Sequence, residues 1–265
     1  MIVSARWGDL APRIVTALVL AVVAGGAVVA GGVALVALAV VAGGLMTWEL
    51  ARMTRGYEGP DLSIPLGLLA AVALALILCL PDARWPVALV LAPALAGVLT
   101  PRREGALFAA GSFVIMTATL AFVVLRETPG LAGLLAVVLT VVACDVAGYF
   151  AGRALGGPKL WPRVSPNKTW SGTVAGWLAA FVIGAGFRLA GAGSMTLLWL
   201  LPLIAAASQA GDIAESALKR RMGVKDSSAL LPGHGGLMDR FDGLSFALIL
   251  ALVMGPLLSA AMVAG

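Results

Sequence analysis

The sequence is poor in charge. Asp, Glu, Lys and Arg make up 12% of its 265 residues, whereas hydrophobic residues make up 61% and the mean hydropathy is +1.03. Long apolar runs recur along the chain. Such a composition excludes an ordinary soluble domain and is typical of a polytopic integral membrane protein. We therefore expect an all-α bundle of membrane-spanning helices.

Several features that would indicate other classes of protein are missing. The two cysteines, Cys79 and Cys144, lie far apart in apolar runs without CxxC spacing, which favours buried thiols over a disulfide. No Walker A sequence occurs, so nothing indicates a P-loop. The first apolar run begins after Arg13 and is too long for the core of a signal peptide, so we expect no cleavable signal. The net charge of +5 is spread over short loops between spans, and we expect no nucleic-acid partner.

The apolar runs predict about nine transmembrane helices in a single membrane domain, residues 1–265. The run from Ile14 to Leu45 is too long for one span of a hydrocarbon core of about 30 Å, and its paired glycines offer a turn between two spans. A loop that contains Glu49 would follow. The other spans are predicted near 65–80, 85–99, 105–125, 130–150 and 172–192, after Met195 and after Gly243. Residues 1–128 would supply N-terminal spans and residues 129–265 the catalytic half.

The distribution of basic residues supports nine spans. With a cytoplasmic N-terminus, this count places all but three of the 18 Lys and Arg residues in cytoplasmic segments, the exceptions being Arg84, Arg126 and Arg188. Cytoplasmic loops of membrane proteins are enriched in Lys and Arg. The charge pattern therefore predicts that the N-terminus and both polar stretches of the C-terminal half face the cytoplasm.

Charge is concentrated between Asp212 and Asp242. This stretch holds five of the 13 acidic residues, five of the 18 basic residues and the only histidine, His234. Four polar residues at its start share one face of a predicted helix: Asp212, Glu215, Ser216 and Lys219. A solvated helix end with one ion pair between residues four apart would produce the same pattern. We favour a divalent-metal and phosphate site, because the stripe leads into a second unusual segment.

That segment, LPGHGGLMDRFDG, cannot continue as a regular helix because it contains Pro232 and several glycines. The N–H groups of glycines can turn towards a phosphate. Asp239 and Asp242 offer the oxygen ligands that Mg²⁺ prefers. The role of His234 stays open between a general base, a phosphate donor and a hydrogen-bonding strut.

A second polar stretch lies upstream. Asp145 sits near the end of a predicted span, where an unpaired carboxylate would be costly, although a capping role or a pair with Arg153 would also explain it. In SPNKTWSG, five side chains are candidates for contacts to phosphates or hydroxyls: Ser165, Asn167, Lys168, Thr169 and Ser171. The alternative is an ordinary cytoplasmic loop with a proline turn.

The stretch from Ser216 to Asp242 resembles the signature of the phosphatidate cytidylyltransferases, also called CDP-diacylglycerol synthases. The matching positions are Ser216, Lys219, Arg220, Lys225, Asp226, His234, Gly235, Gly236, Asp239, Arg240 and Asp242. Gly211-Asp212, Asp145 and Tyr149 are also similar to the family. SPNKTWSG resembles the family's Ser-Pro-Lys-Lys-Thr segment, but Asn167 replaces a usual Lys and Ser171 stands where an acid is common. Gly243 stands where a Ser often follows the last Asp.

The resemblance implies a nucleotidyltransferase of phospholipid biosynthesis that converts CTP and phosphatidate into CDP-diacylglycerol and pyrophosphate. It implies Mg²⁺ as the cofactor and leaves open whether a second cation binds. The metal-ligand candidates are Asp212 and Asp239, followed by Asp145 and Asp242. The catalytic candidates are Asp212, Asp239, Lys225, Asp226 and His234. The substrate-binding candidates are Ser165, Lys168, Thr169, Ser216, Lys219, Arg220, Gly235, Gly236 and Arg240. It further implies a homodimer surrounded by lipid in the bacterial inner membrane.

Two other functions fit parts of the pattern. A CTP-dependent lipid-alcohol kinase would use similar polar loops, although the intact HGG-x-DR-x-D stretch argues against it. A cation transporter would use Asp145, Asp212 and Asp239 as an ion site within the membrane. The basic residues beside these acids favour phosphates over bare cations.

Overall fold

The computed structural model describes residues 10–56, 60–80, 86–231, 233 and 235–263. Its helices are α1 (Leu10–Ala30), α2 (Gly32–Met53), α3 (Ser63–Cys79), α4 (Ala92–Val98), α5 (Gly105–Glu127), α6 (Leu131–Leu155), α7 (Trp170–Leu189), α8 (Leu197–Met222), α9 (Met238–Val253) and α10 (Gly255–Val263). A 3₁₀ helix, Pro86–Leu91, precedes α4. Two short strands, β1 (Lys159–Trp161) and β2 (Ser165–Thr169), lie between α6 and α7. The predicted all-α class is confirmed, with one small β-hairpin added.

Five of the described helices are long and apolar enough to cross a membrane: α2, α5, α6, α7 and α8. The count becomes six if α9 and α10, which are bent by 81° relative to each other, form one broken span. Three shorter apolar helices, Leu18–Ala30, Ser63–Cys79 and Ala88–Val98, lie in other predicted runs. Helix length and composition are thus those of a membrane protein, and the count of nine spans stays a prediction.

The helix boundaries match those predicted from the sequence at one place and differ from them at three. The predicted turn in the first apolar run is present, because Gly31 and Gly32 have φ values of +65° and +49°, which glycine adopts readily. However, α2 continues through Glu49 to Met53, since neither Gly nor Pro interrupts the chain after Leu45. The run predicted near 85–99 is partly a 3₁₀ helix, and the loop predicted after α6 contains the hairpin.

The chain forms two compact units. The first consists of Met1–Leu120 with Met222–Arg240, and the second of Ala121–Arg221 with Phe241–Gly265. In the first unit, α2 packs on α3. Ala73 and Leu74 of α3 are buried together with Val90 and Met116. Near the end of α2, Glu49, Leu50 and Ala51 are fully buried.

The second unit is organised by the close packing of α6 on α7. A Cβ added at Gly172 would lie 2.5 Å from the carbonyl oxygen of Gly148, so two glycines allow the backbones to approach. The Thr169 hydroxyl accepts a hydrogen bond from the Gly172 N–H at 3.2 Å and caps α7. The hairpin pairs Lys159 with Thr169 and Trp161 with Ser165, and the register shifts between these two pairs. The polar hairpin is thereby fixed at the start of α7.

Candidate active site

A cavity of about 560 Å³ opens in the second unit, lined by residues of α6, the hairpin, α7 and α8. Its charged lining consists of two carboxylates and three cations: Asp145, Asp212, Arg153, Lys159 and Lys168. Its uncharged polar lining includes Tyr149, Asn167, Thr169, Thr173 and Gln209. The structure thus brings together five residues predicted from the two polar stretches: Asp145, Asn167, Lys168, Thr169 and Asp212.

An ion pair between Lys168 and Asp212 joins β2 to α8. The Nζ atom of Lys168 lies 2.5 Å from Asp212 Oδ2, and the two side chains are 28% and 14% exposed. Water screens such a partly buried pair less than it screens a surface pair. The alternative pair of Asp145 with Arg153 is not found among the described residues, where Arg153 donates a hydrogen bond to the Tyr149 hydroxyl at 3.2 Å.

The second oxygen of Asp212 has no hydrogen-bond partner in the part of the chain that the structure describes. Asp212 Oδ1 is buried, and so is Ser208 Oγ one turn earlier on α8, which also has no partner among the described residues. A Cβ at Gly243 would lie 2.5 Å from Asp212 Oδ1 and 2.6 Å from Ser208 Oγ, so both atoms lie against this glycine. Burying a carboxylate oxygen without a partner is unfavourable. A bound cation would satisfy it.

The donor set fits Mg²⁺. Among the described residues, no group of three or more His, Cys, Asp or Glu side chains is arranged to hold a metal ion. Mg²⁺ does not require such a cage, because it is usually bound by one or two carboxylates together with water and substrate phosphates. Asp212, with its buried and unpartnered oxygen, is the residue of the second unit best placed to be one of these ligands.

Close helix contacts surround Asp212 within the second unit. A Cβ at Gly211 would lie 2.5 Å from the carbonyl oxygen of Asp242, and Asp242 Oδ1 accepts a hydrogen bond from the Gly243 N–H at 2.8 Å. Further along α8, Lys219 Nζ lies 3.1 Å from Glu215 Oε1. These two side chains are only 13% and 8% exposed. The ion pair between residues four apart is therefore present, but it is buried rather than solvated.

Asp239 is hydrogen-bonded to the glycine-rich segment of the first unit. Its Oδ2 accepts hydrogen bonds from the Ser227 N–H at 2.9 Å, the Ser227 hydroxyl at 3.0 Å and the Gly236 N–H at 2.8 Å. Gly235 has a φ of +79°, and a Cβ there would lie 2.8 Å from Asp239 Oδ2. Conformation and space thus both require glycine at this position. The Gly236 N–H, predicted to contact a phosphate, is donated to Asp239 in this structure.

Glu49 in α2 contacts the same segment. It is 0% exposed. Its Oε1 accepts hydrogen bonds from the Ser228 hydroxyl at 2.6 Å and the Leu237 N–H at 2.8 Å. Its Oε2 accepts one from the Met238 N–H at 2.7 Å, and the Ser227 hydroxyl lies 3.4 Å away. We call Glu49, these four partners, Gly236 and Asp239 the carboxylate clasp.

Several other predicted residues lie outside the cavity lining and the carboxylate clasp. Four of them are exposed: Arg220, Lys225, Asp226 and Arg240. Two are half-buried: Ser165 at the start of β2 and Ser216 on α8. His234 lies outside the described residues. The roles assigned to these side chains stay predictions.

Sequence reasoning assigned no role to Glu49, Ser208 or Gln209. The Gln209 amide donates to the Thr173 carbonyl oxygen at 3.2 Å and to Cys144 Sγ at 3.3 Å, which ties α8 to α6 and α7. A common signal marks all three residues, since each is a polar group on a helix apolar enough to span a membrane. Such residues are expensive to bury and are often functional.

Comparisons with known proteins identify the family to which the chain is similar. The model of the cytidylyltransferase family matches residues 11–258. The phosphatidate cytidylyltransferase of Pseudomonas aeruginosa is 38% identical over 261 residues, which cover 90% of this chain and 94% of that protein. Those of Brucella suis and Bacillus subtilis are 45% identical over 153 residues and 42% identical over 113 residues. These alignments cover 56% and 42% of each chain, so the matched part spans about half the length of those two relatives.

The chain therefore belongs to the cytidylyltransferase family. The family predicted from the signature between Ser216 and Asp242 is confirmed.

Proposed function

We propose that the protein is a phosphatidate cytidylyltransferase, which converts CTP and phosphatidate into CDP-diacylglycerol and pyrophosphate. The observation that carries the proposal is the cavity of the second unit, where Asp212 has one oxygen paired with Lys168 and one buried oxygen without a partner among the described residues. A carboxylate beside several cations suits a cation and phosphates together. The names of the relatives support the same reaction.

The reaction joins two polyanions. An oxygen of the phosphatidate phosphate attacks the α-phosphorus of CTP, and the bond between this phosphorus and the oxygen that bridges to the β-phosphate breaks. Pyrophosphate leaves with that oxygen. Because the attacking phosphate is already an anion, no side chain has to remove a proton from it. The protein must therefore hold the reactants in line and offset their charge.

The residues of the cavity are suited to these tasks. Lys168, Lys159 and Arg153 would neutralise and orient phosphate oxygens. Asp212 would hold Mg²⁺, with Asp145 and Asp242 as further ligands or as groups that orient the basic side chains. Mg²⁺, when bound, supplies positive charge to the transferring phosphates. Asp239 of the first unit stays a predicted ligand, and a second cation stays a prediction as well.

The setting is proposed from charge and resemblance. The enzyme would lie in the bacterial inner membrane as a homodimer, with its N-terminus and active site on the cytoplasmic side, where CTP is available. Phosphatidate would reach the site from the surrounding lipid. Lys219, Arg220, Lys225 and Arg240 would add positive charge for the substrates.

The position of a label in CTP tests the reaction. Purified protein in phosphatidate-containing micelles should transfer the α-phosphate of CTP, with the cytidine, into an organic-soluble product and release the β- and γ-phosphates as pyrophosphate. A lipid-alcohol kinase would instead transfer the γ-phosphate and release CDP. Transfer of the γ-label, or cation flux without transfer of any label, would contradict the proposal.

A further inference from the structure

Glu49 is a fully buried carboxylate on α2, a helix apolar enough to cross a membrane. A buried carboxylate is stable only where donors compensate for the lost water. The donors that the structure places around Glu49 come from both ends of a single segment, Ser227 and Ser228 at one end and Leu237 and Met238 at the other. Glu49 therefore ties the two ends of this segment together.

The hydrogen bonds divide evenly between the two oxygens. Oε1 takes the Leu237 N–H and the Ser228 hydroxyl, whereas Oε2 takes the Met238 N–H and faces the Ser227 hydroxyl. Because these N–H groups stand at the start of α9, they lack partners within the helix and carry the positive end of its dipole. An anion is the preferred partner at this place. Glu49 supplies one from within the chain.

The same contacts reach Asp239. The Ser227 hydroxyl lies 3.0 Å from Asp239 Oδ2 and 3.4 Å from Glu49 Oε2. The Gly236 N–H is donated to Asp239, and the next N–H along the chain, that of Leu237, is donated to Glu49. The two carboxylates thus bind consecutive backbone groups. A shift of the segment away from Glu49 would also displace the donors that orient Asp239.

We propose that Glu49 is a positioning residue for the nucleotidyl transfer. It holds Ser227, Ser228, Leu237 and Met238 in place, so that Asp239, a predicted metal ligand, keeps its orientation. Glu49 lies far outside the signature between Ser216 and Asp242. The inference rests on the proposed function and adds a residue to it.

The variant Glu49→Gln tests the positioning role. Each oxygen of Glu49 accepts one backbone N–H, so the amide of Gln would set its NH₂ group against the N–H of Leu237 or Met238 in either orientation. We expect kcat to fall about 10- to 100-fold, the range found when partners of metal ligands are removed. The Mg²⁺ concentration for half-maximal activity should rise about tenfold for the same reason. A smaller folded fraction alone would lower the rate without changing this concentration.

A measurement that does not depend on activity accompanies the kinetics. Hydrogen exchange at the Leu237 and Met238 amides, followed by mass spectrometry in detergent, should accelerate in Glu49→Gln. The matched control is Thr47→Val on the same helix, because Thr47 is also 0% exposed but its hydroxyl bonds, among the described residues, only the Gly43 carbonyl, at 2.8 Å. This control should leave both the exchange at these amides and the Mg²⁺ dependence unchanged.

A milder variant covers the case in which Glu49→Gln does not fold. Ser228→Ala removes the hydroxyl that donates to Glu49 Oε1 at 2.6 Å and keeps both N–H contacts. We expect kcat to fall about fivefold, as for the loss of one hydrogen bond. Wild-type values of kcat and Mg²⁺ dependence in the folded variants would overturn the inference while leaving the proposed function intact. A wild-type protein that forms no CDP-lipid would overturn the proposed function, and the inference with it.

Discussion

Glu49 in the first unit and Asp212 in the second are carboxylates on long apolar helices, but their oxygens meet different partners. Both oxygens of Glu49 accept hydrogen bonds from backbone N–H groups, with serine hydroxyls beside them. Asp212 has one oxygen on the Lys168 ammonium, and the other has no partner within the described residues. The first carboxylate is saturated by neutral donors, and the second retains capacity for a cation.

This difference indicates which acids to assign to chemistry. A carboxylate whose lone pairs are filled by backbone groups orders the chain around it. A buried carboxylate with an oxygen that accepts no hydrogen bond indicates a site that is incomplete without its ligand. Composition and spacing do not distinguish the two, because both are acids on apolar helices. Substitutions of Asp212, Lys168 and Gly243 change the surroundings of Asp212, whereas Ser227→Ala changes the carboxylate clasp. The expected effects decrease in that order.

Asp212→Asn should cause the largest loss. The amide keeps the size of the side chain but removes its charge, so the cation loses a ligand and Lys168 loses its counter-ion. We expect kcat/KM for CTP to fall about 10³-fold, similar to other losses of charge stabilisation in active sites. Steady-state kinetics of the folded variant and the wild-type protein measure this fall in kcat/KM. Activity within tenfold of the wild type would show that Asp212 is not a metal ligand.

Lys168→Met should reduce kcat/KM about 100-fold, because a charge-assisted contact to a phosphate and the partner of Asp212 are both removed. Lys168→Arg should recover part of this loss, because it restores the positive charge. The planar guanidinium does not reproduce the compact ammonium, so the recovery should be incomplete. The double variant Asp212→Asn with Lys168→Met should be little worse than Asp212→Asn alone, because residues in contact are not additive. Fully additive losses in this cycle would argue that the pair does not act together.

Gly243→Ala should raise the Mg²⁺ concentration for half-maximal activity about tenfold. Its Cβ would approach Asp212 Oδ1 to 2.5 Å and Ser208 Oγ to 2.6 Å, so the carboxylate or the helix must move. The control is Gly186→Ala on α7, where, apart from the backbone of the same helix and the adjacent residues, no atom of the described residues lies within 4 Å of the added Cβ. That control should leave the Mg²⁺ dependence unchanged, and it should stabilise the helix by up to about 1 kcal/mol. Equal Mg²⁺ dependence in the two variants would contradict the proposed ligand role of Asp212.

Ser227→Ala should have the smallest effect. It removes one of the three hydrogen bonds on Asp239 Oδ2, while the N–H groups of Ser227 and Gly236 keep the carboxylate in place. We expect kcat to change by no more than about threefold, because a single neutral hydrogen bond contributes little when others remain. A loss as large as that of Asp212→Asn would mean that the carboxylate clasp is not redundant and takes part in the chemistry directly.

Much of the fold was predictable because apolar runs and glycines act locally. The runs contain the helices, and Gly31 with Gly32 separates the first two. The hairpin was not predicted, since β1 and β2 are three and five residues long and β2 contains a proline. Both strands contact α7, so their position depends on tertiary contacts that strand propensity does not encode.

The candidate site was predictable in its residue types and less so in its contacts. Asp145 and Asp212 were identified from their positions at the ends of apolar runs, and Lys168 from the polar segment SPNKTWSG. All three line one cavity. The contacts of Glu49 with Ser228 and Met238 join residues 179 and 189 positions apart, and no local pattern encodes such pairs. The sequence placed Glu49 in a loop, and its role depends on the partners that folding brings to it.

A cation-binding measurement is the most direct test of whether Asp212 is a metal ligand. Mn²⁺, which takes the same oxygen ligands as Mg²⁺, can be followed by electron paramagnetic resonance as it binds to purified protein in the presence of CTP. We expect saturable binding to the wild-type protein and loss of that binding in Asp212→Asn. Equal binding by the two proteins would contradict the assignment of Asp212 as a metal ligand.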